Sequence, residues 1–250
     1  LRDVDAGVIQ LISSKQHYAF NLAWLKDPMP PRPPEPNLEA AGLPARQKLE
    51  RVCGPRDLPS KTKPWRFTGS GGPESEAVSF PPGGPMLLDT APGRRARWVD
   101  ESADGFGRAG TAKGLTVEIR MQVLKSTSNT RGIDFEARLV GRQGETRRYF
   151  MSVTTTGVYW YDRQPQKLAE DLDNADGLHT YRLSIRPDGV AEIYRDARLL
   201  GVRRPSRAGD PMLKTVRSYL QWGEGAGGSE ADARIDWVAH DLSGAYAPEP

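Results

Sequence analysis

The chain has 250 residues, 37% of them hydrophobic, which is enough to bury one good core or two small ones and excludes disorder throughout. Its 35 Lys and Arg against 32 Asp and Glu leave a net charge of +3, with acids interleaved among the bases, so no phosphate-binding stripe forms and nucleic acid is not expected as a partner. The single cysteine, Cys53, excludes an internal disulfide and a cysteine-rich zinc site. No apolar run approaches the roughly 20 residues of a membrane span.

The chain opens on Leu1 inside a strand-like pattern, so it is expected to be a piece of a longer protein. Residues 1–27 hold an Asp and Gly turn, an apolar run at 8–12 and a second run ending near Trp24. That reads as a hairpin fragment, which is marginal alone in water, so its partner strands are expected upstream. Residues 28–36, PMPPRPPEP, favour a stiff polyproline II spacer. A linker over 28–64 is therefore expected, with Cys53 as a linker thiol and LPARQKLERV as either one short helix or a run across a surface.

From Trp65 the pattern changes to short runs of period two, punctuated by some of the chain's 26 Gly and 21 Pro, the signature of an antiparallel all-β domain over 65–247. In LTVEIRMQVL, Val117, Ile119, Met121 and Val123 fall on one face, and Glu118, Arg120 and Gln122 on the other. In GIDFEARLV, Ile133, Phe135, Ala137 and Leu139 point inward, and Asp134, Glu136 and Arg138 outward toward water. Further strands are predicted at 148–154, 158–161, 179–185, 190–194, 218–222 and 233–241, with a tight turn at Pro187-Asp188-Gly189, where Gly accepts positive φ at little cost. So many short strands predict two stacked sheets, a jelly-roll β-sandwich whose last strand is central and pairs near the first.

The run LHTYRLSIRPDGVAEIYRDARLLG, 178–201, resembles the hairpin of concanavalin A-like and laminin-G-like domains, with Ala197 where that pattern usually has Gly. The closing YLQWGEGAGGSEADARIDWVAHDLSGAYAP also resembles the end of such sandwiches. The opening DVDAGVIQLISSKQHYAFNLAWL resembles the last repeat of a sialidase-like propeller, of the Asp-box (BNR) kind. There Asp5 and Gly7 fit the box, while the usual Ser and Trp positions do not. These resemblances imply a concanavalin-like sandwich behind the final blade fragment of an upstream propeller, in a secreted or extracytoplasmic glycoside hydrolase whose catalytic residues and signal peptide lie upstream.

Asp134 and Glu136 lie on one face of a strand, about 7 Å apart by strand geometry, as carboxylates of retaining glycosidases do. They resemble the ExDxE strand of laminarinases and lichenases, but Gly132 stands where the nucleophile would be. The alternative is that they pair with Arg120, Arg138 or Arg148 for some tenths of a kcal/mol per pair. No Gly-x-Ser-x-Gly elbow accompanies His179 or His240, which read as structural. No catalytic residue is therefore expected in this chain.

GVYWYD puts Tyr159 and Tyr161 on one face and Trp160 on the other, so either the two tyrosines or the tryptophan can be exposed to stack on a sugar ring. Trp222, before the glycine-rich GEGAGG, is a second aromatic candidate, with Arg148 and Glu224 as polar contacts. No cofactor is expected, although the laminin-G resemblance implies a structural calcium ion, and Asp171, Asp173, Asn174 and Asp176 offer oxygen ligands. The expected function is non-catalytic carbohydrate recognition with a glycan partner. The alternatives are a glycoside hydrolase or lyase, or a structural spacer packed on the propeller.

Overall fold

The structure, a computed structural model, describes residues 2–3, 8–12, 17–21 and 38–250 apart from 92, 110–111, 142–143, 163, 170, 206–216 and 226–227. The chain divides into two compact units, Leu1–Glu39 and Ala40–Pro250. In the first, β1 (Arg2–Asp3), β2 (Val8–Ile12) and β3 (His17–Asn21) form a three-stranded antiparallel sheet in that order. The proline-rich residues 28–36 lie outside the described residues.

The second unit is a sandwich of two antiparallel sheets, with no α-helix among the described residues. One sheet has seven strands in the order β13 (Pro165–Lys167), β12 (Val158–Tyr161), β11 (Thr146–Val153), β10 (Ile133–Val140), β17 (Tyr219–Glu224), β8 (Ala96–Asp100) and β5 (Arg66–Phe67). The other runs β16 (Arg198–Arg203), β15 (Ala191–Arg195), β14 (His179–Ile185), β9 (Leu115–Ser126), β18 (Ala231–Asp241), β7 (Met86–Leu88) and β6 (Val78–Ser79), and β4 (Arg51–Cys53) also pairs with β18 to make eight. The last strand is central, as the sequence predicts, lying between β9 and the early strands β4 and β7.

Period-two alternation builds the core directly. Val117, Ile119, Met121 and Val123 of β9 and Ile133, Phe135, Ala137 and Leu139 of β10 are all fully buried in one hydrophobic cluster. At the tip of β14–β15, Gly189 takes φ +81° and its N–H reaches the Arg186 carbonyl at 2.9 Å. At the next turn Asp196 takes the left-handed φ, +54°, so the β15–β16 connection closes although Ala stands at 197.

Two expectations change. The stretch 38–64 contains no α-helix, and part of it belongs to the sandwich: Ala45 bridges Ala247, Leu49 is buried, and β4 pairs Val52 with Ala239. Cys53 is thus a strand residue opposite Val238, and burial pushes its thiol pKa up. Second, Asp134, Glu136 and Arg138 face away from the core but are buried, at 2%, 4% and 4% exposure. Mutual pairing, described below, lets charged groups leave water there.

Candidate functional site

The seven-stranded sheet turns toward the outside a face in which neighbouring strands are in strict register. Glu136 of β10 lies opposite Phe150 of β11 and Gln221 of β17, while Arg138 lies opposite Arg148 and Tyr219. Asp134 faces Ser152 and Gly223, and Ser152 in turn faces Tyr159 of β12.

Glu136 is the hub. Arg138 donates to its Oε1 at 2.9 Å, Arg148 to its Oε2 at 3.3 Å, and the Tyr219 hydroxyl to Oε1 at 2.8 Å. Burial alone would raise its pKa, but Arg148 and Arg138 outweigh that and hold the carboxyl below its ordinary value. The guanidinium groups also cover rings, Arg138 over Tyr219 at 5.0 Å and Arg148 over Phe150 at 4.4 Å.

Asp134 receives Arg131 at 2.8 Å on Oδ2 and the Ser152 hydroxyl at 2.8 Å on Oδ1. Burial pushes its pKa up to about 7, with Glu224 and Glu136 adding to the shift against the pull of Arg131 and Ser152. Gly132 sits so close to β11 that any Cβ would collide with the Val153 carbonyl, so no carboxylate can stand there. The incomplete catalytic strand is therefore built into the backbone packing.

The structure separates the predicted binding residues. Tyr159 and Tyr161 are half-buried on the outer face and Trp160 is in the core, which resolves the alternation of β12. The Tyr161 hydroxyl donates to the Thr130 carbonyl at 2.7 Å, and its ring lies 5.0 Å from Phe150 and 4.9 Å from the Arg131 guanidinium. Arg148 is buried and engaged with Glu136.

Trp222 is corrected: at 2% exposure it stacks on Trp98 at 4.4 Å and meets Trp65 edge-on at 5.9 Å. It faces inward because Leu220 and Trp222 share the core side of β17, leaving Tyr219 and Gln221 outward. Glu224 is fully buried and accepts a hydrogen bond from Ser229 at 3.3 Å, so it is not a surface contact either. Residues that sequence reasoning passed over are Arg131, whose signal was its place three residues before Asp134, and Tyr219 and Gln221, whose signal was the same alternation that buries Trp222.

Three of the four oxygen donors in the acidic loop, Asp173, Asn174 and Asp176, are engaged within the protein. Asn174 is fully buried, its amide donating to the Thr154 carbonyl at 2.8 Å while its oxygen accepts from Tyr181 at 2.8 Å. Asp173 accepts from the Ala175 N–H, and Asp176 lies 2.6 Å from His179. Among the described residues no group of three or more His, Cys, Asp or Glu could hold a metal ion. His179 bridges Asp176 and Asp196, and His240 is buried edge-on to Phe106 with its pKa lowered by that burial.

Chemically, this face offers a rigid floor of neutralised charges, with Arg131, Tyr159, Tyr161, Tyr219 and Gln221 half-exposed above it. It can stack rings and exchange hydrogen bonds.

No family model and no curated protein matches the sequence. Among solved structures the chain is similar to a carbohydrate esterase of the Shiga toxin-encoding bacteriophage phi24B, with a TM-score of 0.53 and 14% identity over 70% of this chain and 89% of that one. It is also similar to a sialidase, with a TM-score of 0.49 and 14% identity over 76% of this chain but 18% of that protein. A third is the carbohydrate recognition domain of Emp46p, with a TM-score of 0.45 and 13% identity over 75% of this chain and 92% of that one. At such identities the esterase likeness is one of fold, the two-sheet antiparallel sandwich expected from the concanavalin-like resemblance.

Proposed function

We propose that the sandwich is a non-catalytic carbohydrate-recognition module that binds glycan on the outer face of the seven-stranded sheet. One observation carries this reading: Arg131, Tyr159, Tyr161 and Tyr219 stand half-exposed over a buried network in which Glu136 is held by two arginines and a tyrosine. Aromatic rings with polar tips beside guanidinium groups suit a ligand with apolar ring faces and hydroxyl edges. The sandwich fold shared with the bacteriophage esterase fits a carbohydrate partner. The proline-rich sequence of residues 28–36 and the match of Asp5 and Gly7 to the Asp-box pattern support attachment behind the propeller of a sialidase-like hydrolase that works outside the cytoplasm.

A hydrolase or lyase reading is favoured by one feature, the raised Asp134 beside the lowered Glu136, since carboxylates with pKa values pushed apart mark acid and base pairs. The collision of any side chain at Gly132 with Val153 speaks against a double-displacement mechanism. A glycan array followed by titration of Tyr161→Ala and Arg131→Ala tests the proposal. Tyr161→Ala should weaken binding about tenfold or more, the loss of on the order of 1 kcal/mol expected for a stacked ring, and Arg131→Ala should weaken it through the lost guanidinium hydrogen bonds. If no glycan binds, the structural-spacer reading stands. Reducing-end release that disappears in Asp134→Asn would establish the enzyme.

A further inference from the structure

The eight-stranded sheet carries a feature that the recognition face does not explain. β7 pairs with β18 at Ala233–Ile235 and β4 pairs with it at Val238–His240, so Asp236 and Trp237 fall between the two partners. The β9–β18 register shifts at Ile235/Trp237, a bulge that re-aims the following side chain. Trp237 is left half-exposed and lines two cavities at once, one of about 1010 Å³ and one of about 410 Å³. Those sizes lie at the scale of ligand sites, about 300–1,000 Å³.

The two cavities differ in chemistry. The larger is walled by Phe80, Pro82 and Leu178, with Arg56 and Asp236 at its polar side. The smaller is walled by Arg120, Arg182, Glu118 and Thr180. Its cations are matched, because Arg120 lies 3.3 Å from Asp236 and Arg182 is paired with Glu118. An anion at Arg120 or Arg182 would have to displace one of these carboxylates. An uncharged ligand whose hydroxyls both donate and accept can bond a guanidinium and a carboxylate together. Of the strands beneath, β9 and β14 pair on both sides and β18 lacks a second partner only at Asp236 and Trp237, a gap too short for an extended peptide to add to them as a strand.

We propose that this groove is a second binding site, for an uncharged oligosaccharide, with Trp237 as the shared platform between a ring-stacking half at Phe80 and a hydroxyl-reading half at Arg120 and Thr180. It is independent of the seven-stranded face, and its substitutions do not touch that face. The sandwich is then a two-sided module able to hold two chains of a polysaccharide, or two stretches of one.

The test is calorimetric titration of the full 250-residue chain with cellohexaose, xylohexaose, mannohexaose and laminarihexaose. At least one should bind, with a binding event lost from the calorimetry in Trp237→Ala and largely restored in Trp237→Tyr, and with the groove affinity, read from the titrated Trp237 indole resonance, falling tenfold or more in Phe80→Ala but not in Tyr161→Ala or Arg131→Ala. Circular dichroism melts of each variant show that the fold persists. Should Trp237→Ala unfold, Phe80→Ala and the shift of the Trp237 indole resonance in the titrated wild-type chain carry the same decision. The proposal is overturned if none of the four sugars binds, if both groove variants keep wild-type affinity, if the loss follows Tyr161→Ala instead, or if a proline-rich peptide and no sugar shifts the Trp237 resonance.

Discussion

Asp134 and Glu136 are two residues apart on β10, and their carboxyl groups have moved in opposite directions. Both are buried, so burial penalises both charges, and the difference lies in the number of cationic partners. Two guanidinium groups converge on Glu136 and one on Asp134. The consequence is a pH dependence of known sign. With the folded pKa of Asp134 raised to about 7 and an unfolded value of about 3.9, the native state holds a proton that the unfolded state has released between those limits. The stability this group contributes is therefore full below about pH 4 and lost as pH rises to about 7, by on the order of a few kcal/mol. Asp134→Asn keeps the neutral shape, so its stability relative to wild type should rise from pH 4 to pH 8. Urea melts at both values measure this, and a wild-type-to-variant difference that is constant with pH would show that Asp134 does not change charge in that range.

Strand alternation decides which aromatic residues face outward and which hold the sheets together. On β12 it sends Tyr159 and Tyr161 out and Trp160 in, and on β17 it sends Tyr219 and Gln221 out and Leu220 and Trp222 in. Gly223 then takes φ +117°, where a Cβ would collide with the Ala96 carbonyl, which lets β17 approach β8 closely and stack Trp222 on Trp98. Trp222→Ala should accordingly act on stability rather than on ligand, costing about 3–5 kcal/mol as a large core truncation. Denaturant melts give that cost. Glycan titration of the folded variant should match wild type, and a selective loss of affinity without loss of stability would return Trp222 to the binding face.

At the scale of the whole second unit, residues 40–64 act as a clasp across β18 and the C-terminal segment. Arg46 is ion-paired with Asp241 and lies 4.0 Å over the Tyr246 ring, while Arg182 donates to the Arg46 carbonyl at 2.8 Å. β4 adds hydrogen bonds along β18 at the bulge end. Residues 40–250 are therefore expected to fold alone as a β-rich unit, and residues 1–36 alone are not. Residues 65–247 should fold too but melt about 5 °C or more lower, since each kcal/mol removed shifts the midpoint by about 2–4 °C at this size. Circular dichroism of the three pieces decides it, and equal midpoints for 40–250 and 65–247 would mean that the clasp contributes nothing.

The sequence by itself determined the strands and their faces, because side-chain direction in a strand repeats every two residues and burial follows it residue by residue. Val117 to Val123, Ile133 to Leu139 and the Pro187-Asp188-Gly189 turn needed nothing else. It also determined the gap at Gly132, since a glycine carries no carboxylate anywhere. Tertiary structure alone decided what surrounds each outward residue. Asp134, Glu136 and Arg138 have the pattern of a wet face, yet they are buried, and the partners of the two carboxylates include Arg148, Ser152 and Tyr219, 12, 18 and 83 positions away, distances that no local period encodes. The same holds for Trp222, whose burial depends on Trp98 arriving from β8, for β4, which is too short to show a period, and for Trp237, which a two-partner bulge turns into a groove. Period sets direction along one strand, whereas burial and charge depend on which strands fold against it.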